Sequence, residues 1–445
     1  MDLDAIFKAY DIRGLYPEQL DEELAHRAGR AFVSLTGARR VLVARDMRAS
    51  GEPLSAAFIS GAATQGADVV DLGVASTDML YFASGSMDLP GVVLTASHNP
   101  SGYNGIKLVR AGAVPVGSDT GMAEIKDMVA ADRYAQNRRL GSIEKLDVLA
   151  SFVDHIAGLV DPASFRPLKV VVDAANGMGG LTVPAVFARY PIEVVPLYFE
   201  LDGTFPNHPA DPIQPENLRE LSRRVVAERA VCGLAFDGDA DRVFFVDERG
   251  EPVLASFVGA MVARAILARN PGEKVVYSLT CSRAVPEVIR EAGSEAVRTR
   301  VGHSFIKHVM AETGAIFGVE HSGHFYFRDH WRADCGMLCA LYALQVVSAS
   351  GGTLSEALEP FAGRYWNSGE INSEVEDKQA AIERLAEAYA DGAQDRTDGL
   401  TVDYDDWWFN VRASNTEPLL RLNVEARRES DGVKRRDELL GLIRT

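Results

Sequence analysis

Three stretches of the chain repeat one order of apolar and polar positions: a short apolar strand, a polar turn, then an amphipathic helix. They are VLVARDMRASG from Val41, VVVDAANGMGG from Val170 and VVYSLTCSRAV from Val275. Their spacing, roughly a hundred residues, is too long for a solenoid repeat and predicts three related α/β units. Apolar runs at 68–72, 91–95, 234–236 and 243–246 read as further strands. The periodicity at 53–64, 217–228 and 257–269 reads as helices.

The last part of the chain follows a different grammar. A helix around 378–389, strands around 407–411 and 419–425 and a closing helix predict a small α+β domain. Breaks are expected in the polar stretch 137–145, in the turn 248–250 and near Gly363. The expected fold class is therefore α/β: three related α/β domains with mixed sheets at 1–143, 144–249 and 250–363, and a C-terminal α+β domain at 364–445.

Composition narrows the setting. With 47% hydrophobic and 24% charged residues the chain matches a soluble globular protein, and it has no run of eighteen apolar residues to span a membrane. The start MDLDAIFKAYDIRG lacks the basic and apolar regions of a secretory signal, so a cytoplasmic location is expected. Cys232, Cys281, Cys335 and Cys339 form no paired C-x-x-C motif and fit reduced thiols better than a zinc site. The net charge of −17, from 46 basic and 63 acidic residues, disfavours nucleic acid and anionic lipid as partners. An anionic small substrate would need a local basic pocket.

Four motifs carry candidate chemistry. In GVVLTASHNP, Ser97 stands at the carboxyl end of a strand, where α/β folds bind ligands. No G-x-S-x-G elbow surrounds it, and a serine in a plain polar turn remains an alternative. Lys107, on the next strand, falls plausibly over the same cleft. In GLAFDGDADRVFFVD, Asp237, Asp239 and Asp241 alternate within one turn between apolar strands, a pattern that asks for a divalent cation. An EF-hand fails because its sixth position is Arg242 instead of glycine. A D-x-D-x-[TV] phosphatase or mutase motif fails because its fifth position is Asp241. FGVEHSGHFYF offers Glu320, Ser322 and His324 to sugar hydroxyls or a phosphate, with a turn around a buried histidine as the plainer reading. VRASNTEP gathers Arg412, Ser414, Asn415 and Thr416 as a phosphate clasp, although a capped helix start looks similar. His303 and Lys307 would share a helix face, a pairing more often found at a surface than in a site.

Together with KAYDIRG at 8–14, these motifs resemble, in order and spacing, the α-D-phosphohexomutase superfamily, most closely its bacterial phosphomannomutase/phosphoglucomutase branch. The resemblance covers essentially the whole chain. It implies four domains around a central active-site cleft, the fourth closing over the substrate. It implies that Ser97 carries the transferable phosphoryl group and that Ser97, Asp237, Asp239 and Asp241 hold Mg²⁺. Arg13, Lys107 and His303 would serve the reacting centre, with Lys107 a candidate general acid or base. Arg242 and Tyr10 would touch the ligand, Glu320, Ser322 and His324 the sugar, and Arg412, Ser414, Asn415 and Thr416 the distal phosphate.

The implied activity is isomerisation of hexose 1-phosphate and hexose 6-phosphate through a hexose 1,6-bisphosphate, which also acts as activator. Mannose phosphates are favoured, with glucose phosphates or dual specificity as the alternative. Phosphoglucosamine is disfavoured by Asn415, where its mutases usually carry glycine. Two other readings are a phosphatase working through Asp237 and a non-catalytic phosphosugar-binding protein, against which the intact Ser97, aspartates and Lys107 count. A monomer or homodimer is expected.

Overall fold

The computed structural model describes residues 2–137, 139–413 and 419–444. The chain forms two compact units, one of Met1–Val253 with Ser322–Leu354, the other of Leu254–His321 with Ser355–Thr445.

In the first unit a mixed sheet runs in the order Ile12–Leu15, Tyr103–Arg110, Gly91–Leu94, Arg40–Arg45, Asp68–Val74 and Ile143–Lys145. Gly91–Leu94, Arg40–Arg45 and Asp68–Val74 are parallel, while Tyr103–Arg110 runs antiparallel to both its neighbours. Helices cover the parallel strands, which is why Val41, Val43, Val92 and Leu94 read as unbroken apolar runs. Phe32 and Phe58, from helices Glu22–Thr36 and Gly51–Thr64, meet over this core with ring centroids 6.1 Å apart. Part of the polar stretch near 143 is no loop: it pairs as an exposed edge strand beside residues 69–71.

The register sets up the site. Arg45 pairs with Leu94, so the turns leaving these two strands at Asp46 and Thr95 begin side by side. A second sheet of the first unit is ordered Pro252–Val253, Val243–Asp247, Cys232–Phe236, Leu168–Asp173 and Ile192–Leu197. Within it Phe236 pairs with Val243, so residues 237–242 connect two antiparallel strands in which every residue is buried. The hairpin Phe325–Phe327/Ala333–Asp334 and the buried helix Gly336–Ser350 complete this unit.

In the second unit Val275–Ser278 lies parallel between Ala296–Thr299 and Phe317–Val319. An antiparallel sheet follows in the order Trp366–Glu374, Leu419–Ala426, Trp407–Ala413, Leu400–Asp403 and Ala393–Asp395. Helices Lys378–Ala388 and Glu429–Ile443 contribute Leu385 and Leu439 to its core of Phe409, Val411 and Leu422. The sequence pattern misses Trp366–Glu374 because the strand is half-exposed and mostly polar, without the alternation that marks a core-facing edge. All four cysteines are buried and free of disulfides. Among the described residues no single helix is long and apolar enough to cross a membrane.

A polar contact buttresses the second sheet. His208 donates from Nε2 to Asp173 Oδ2 at 3.0 Å and from Nδ1 to the Pro209 carbonyl at 2.8 Å. With an acceptor on both nitrogens the ring is an imidazolium. Burial opposes that charge, but Asp173 and the carbonyl outweigh it and raise the His208 pKa above 6.5. A raised histidine pKa stabilises fully below the unfolded value and loses its contribution as pH rises through the folded one. Wild type should therefore exceed His208→Gln in urea stability by more at about pH 5.5 than at about pH 9. An equal difference at both pH values would mean that His208 folds uncharged.

Candidate active site

Ser97 has φ +50°, a left-handed conformation that costs a non-glycine residue energy and must be held by its surroundings. Thr95 Oγ1 accepts the Ser97 N–H at 2.9 Å. The resulting turn aims Ser97 Oγ at the acidic connection of the second sheet, where it donates to Asp237 Oδ2 at 2.6 Å. Arg242 Nη2 donates to the same Oγ at 2.8 Å, and Arg242 Nε to Asp237 Oδ2 at 2.9 Å. The serine hydroxyl is thus bound between a carboxylate and a guanidinium.

A glycine and a helix end make this meeting possible. A Cβ on Gly238 would stand 2.3 Å from the Ser97 carbonyl oxygen, so only glycine lets the acidic turn come so near. Helix Thr77–Met87 points its first residue at the same turn: Thr77 Oγ1 donates to Asp239 Oδ2 at 2.6 Å and its N–H to the Asp239 carbonyl at 3.2 Å. Positive helix-end potential thereby falls on a buried carboxylate.

Lys107, on the strand antiparallel to Gly91–Leu94, bridges Asp239 and Asp241 at 2.6 and 2.7 Å. Burial disfavours its charge, but the two aspartates outweigh burial and raise its pKa well above 10.5. In this arrangement Lys107 can give a proton but not take one. Burial and Asp241 push Asp239 upward, yet Lys107 prevails and Asp239 titrates below 3.8. Asp241 is also lowered, with Lys107, His324 and Arg242 overcoming burial. Asp237 behaves differently: burial raises it to about 8 despite Arg242.

The acidic turn fits a hard cation. Asp237, Asp239 and Asp241 can bring one oxygen each within 4.8 Å of one another. Asp239 Oδ1 and Asp241 Oδ1 are buried and take no hydrogen bond. Two unsatisfied buried carboxylate oxygens in an all-oxygen set are what Mg²⁺ would complete.

Other expected residues fall into three groups. Arg13 joins the centre by bonding Asn99 Oδ1 at 2.6 Å and Asp11 at 2.5 Å. His324, expected among the sugar contacts, stands with Nε2 3.7 Å from Asp241 and 3.8 Å from Asp334, its Nδ1 2.9 Å from Ser322 Oγ. Tyr10 is half-buried in the bend before strand Ile12–Leu15. Glu320, His303, Lys307 and Arg412 belong to the second unit. There Glu320 accepts the Gly302 N–H at 3.0 Å, and Arg412 pairs with Glu370 at 3.1 Å. Helix His303–Thr313 confirms the shared face of His303 and Lys307, but Lys307 is buried, contrary to the surface expectation. Ser414, Asn415 and Thr416 lie outside the described residues.

Sequence reasoning left four contributors unassigned. Arg242 donates to His98 Nδ1, which requires a neutral ring; burial first, then Arg242 and Arg13, hold the His98 pKa well below 6.5. Thr77 was legible only as part of a helix-start pattern, S-T-D, and Asp334 as one acid among many. Arg48 stood in the polar turn of the first repeated unit with nothing local to mark it.

The closeness of the two turns gives a direct test. Gly238 does not use a left-handed φ, so alanine would suit its own backbone and only the Ser97 carbonyl forbids it. Gly238→Ala should keep its circular dichroism spectrum while turnover falls at least about tenfold, because Ser97 is displaced. Unchanged turnover would mean that the contact does not set the serine's position.

Comparisons with known proteins identify the family. Models of the phosphoglucomutase/phosphomannomutase family match in four consecutive pieces: alpha/beta/alpha domain I over residues 4–136, domain II over 150–250, domain III over 255–365 and the C-terminal domain over 370–440. A phosphohexose mutase of Xanthomonas campestris is 39% identical over 98% of this chain and 99% of its own. A phosphomannomutase of Escherichia coli is 37% identical over 95% of this chain and 94% of its own. A crystal structure of a phosphoglucomutase/phosphomannomutase family protein from Burkholderia thailandensis superposes with a TM-score of 0.91 at 34% identity, covering 100% of this chain and 98% of that one. With relatives this similar along its full length and a serine poised on an aspartate-rich turn, the chain belongs to the phosphoglucomutase/phosphomannomutase family.

Proposed function

We propose that this protein is a phosphohexomutase that interconverts hexose 1-phosphate and hexose 6-phosphate through a phosphorylated Ser97, taking mannose phosphates and also glucose phosphates. The observation that carries the reading is Ser97 Oγ bound at once to Asp237 Oδ2 and Arg242 Nη2. In-line phosphoryl transfer demands charge neutralisation and positioning more than covalent chemistry, and this centre supplies both.

In the first transfer the bond from phosphorus to Ser97 Oγ breaks and a bond to the oxygen of the sugar's free hydroxyl forms; that hydroxyl gives up its proton and Ser97 Oγ takes one up, giving the 1,6-bisphosphate. After the bisphosphate turns end for end, its other phosphate returns to Ser97. The departing Ser97 proton then has Asp237 as its nearest acceptor, 2.6 Å away. Arg242 faces the oxygen at which negative charge gathers, and Lys107, bridging Asp239 and Asp241, is a protonated donor at the same acidic turn. Asp237, Asp239 and Asp241 would hold Mg²⁺, which when bound neutralises oxygens of the transferring group. Asp237 already accepts from Ser97 and Arg242, which leaves it poorly placed to act as the nucleophile of a phosphatase. Glu320 and Ser322 are proposed to read hydroxyls shared by the two sugars. Arg412, Ser414, Asn415 and Thr416 would clasp the phosphate that stays, with Arg412 exchanging Glu370 for it.

Ser97→Ala should abolish mutase turnover and remove the covalent phosphate that intact-mass analysis finds on the wild type after exposure to a sugar 1,6-bisphosphate. An equal phosphorylated fraction in both proteins would sink the assignment, and a wild type that binds sugar phosphates without turnover would be a binding protein instead.

Specificity offers a second check. In a coupled assay with a trace of 1,6-bisphosphate, mannose 1-phosphate and glucose 1-phosphate should differ in kcat/KM by less than about a hundredfold. Glu320→Gln should weaken both alike, since the hydroxyls assigned to it are common to the two sugars. Impairment of mannose 1-phosphate alone would move Glu320 to the 2-position.

A further inference from the structure

Arg48 is among the largest fully buried side chains of the described residues, and it sits directly behind Ser97. Its Nη2 donates to the Ser97 carbonyl at 2.9 Å and to the Asn99 carbonyl at 2.6 Å. Its Nη1 donates to the carbonyls of Pro100 at 2.8 Å and Tyr103 at 2.9 Å. One guanidinium therefore gathers four backbone oxygens of a single seven-residue turn, and the first belongs to the left-handed residue itself. Few other side chains could do this, because only arginine presents several donors in one rigid plane.

Two further contacts orient Arg48. Its Nε lies 3.3 Å from Asp46 Oδ2, with both side chains fully shielded from solvent. Asp46 Oδ1 also accepts the Arg48 backbone N–H at 2.9 Å. One carboxylate thus holds both the main chain and the guanidinium of Arg48, and through it the grip on the Ser97 carbonyl. The Phe205 ring lies 5.0 Å from the guanidinium carbon. Gly203 presses the same loop onto the turn, since a Cβ there would be 2.5 Å from Arg48 Cα.

We propose that Arg48 is a positioning residue for the phosphoryl transfer: it locks the Ser97 turn in one conformation through both the phosphorylated and the free state of the serine. The inference rests on the mutase reading above and goes beyond it, because Arg48 meets Ser97 only through the main chain and contacts no reacting atom. Both transfers must use the same nucleophile position, because the bisphosphate presents first one end and then the other. A turn free to relax its left-handed residue would carry Ser97 Oγ away from Asp237 and Arg242. It would also open the phosphoserine to water, whose attack on phosphorus breaks the bond to Ser97 Oγ, restores the hydroxyl and releases inorganic phosphate.

The test is Arg48→Lys in the full chain, which keeps the charge but cannot reach four oxygens in one plane. Turnover of mannose 1-phosphate with a trace of 1,6-bisphosphate should fall about a hundredfold in kcat, with KM within about threefold of wild type. Inorganic phosphate released per mutase turnover should rise, a leak that a loss of folded protein alone would not produce. A kcat within about twofold of wild type, or a lower kcat with no change in that ratio, would overturn the proposal. Should Arg48→Lys not fold, Phe205→Leu, altered at the half-buried ring that covers the guanidinium, replaces it, with about a fivefold smaller kcat and a raised leak expected. An unchanged kcat and leak in Phe205→Leu would overturn it equally. If wild type itself turns over neither sugar phosphate, the mutase reading is what has failed.

Discussion

Three carboxylates buried within one short turn repel one another and lose their hydration, and everything around the site is arranged against that cost. Arg242 and Lys107 bring two positive charges into direct contact with them. Thr77 adds a hydroxyl and the end of a helix. The balance is incomplete, since Asp239 Oδ1 and Asp241 Oδ1 take no hydrogen bond. Isolated buried charge of this kind is expensive unless a partner completes it, and a divalent cation is the partner that the oxygens fit. A phosphate on Ser97 would add about −1.5 to −2 charges to the same place. On the proposed function, a cation and a phosphoryl group would offset one another's charge there.

The same constraint explains the backbone. Ser97 must approach Asp237 closely, and it does so from a left-handed conformation that the residue does not favour by itself. Strain at this one position is tolerated because its amide, carbonyl and hydroxyl each have a fixed partner: Thr95, Arg48 and Asp237. Gly238 supplies the remaining condition, the absence of a side chain at the point of nearest approach. Two sheets meet through these turns, so the precision of the site comes from the rigid strands that end beside it.

Sequence and structure part company at identifiable residues. The strands ending at Arg45, Leu94 and Phe236 were legible because parallel or fully buried strands leave long apolar runs. Trp366–Glu374 was not, because a half-exposed polar strand leaves no periodic trace. Ser97 and the alternating aspartates were legible because their chemistry is compressed into a few consecutive residues. Lys107 was placed over the cleft by its strand, but its ammonium bridging Asp239 and Asp241 joins residues more than a hundred positions apart.

The sequence by itself determined the α/β grammar, the family to which the chain belongs and the residue types that can carry a phosphoryl group and a cation. These are local properties, written in short runs of side chains and in hydrophobic period. Only the tertiary structure decided that Ser97 is left-handed, that His98 is neutral, that Lys107 is held protonated and that Arg48 grips the turn from behind. Each of those depends on groups brought within hydrogen-bonding distance from distant parts of the chain. A dihedral angle or a protonation state is set by the summed field and packing of those neighbours, and no stretch of consecutive residues contains it.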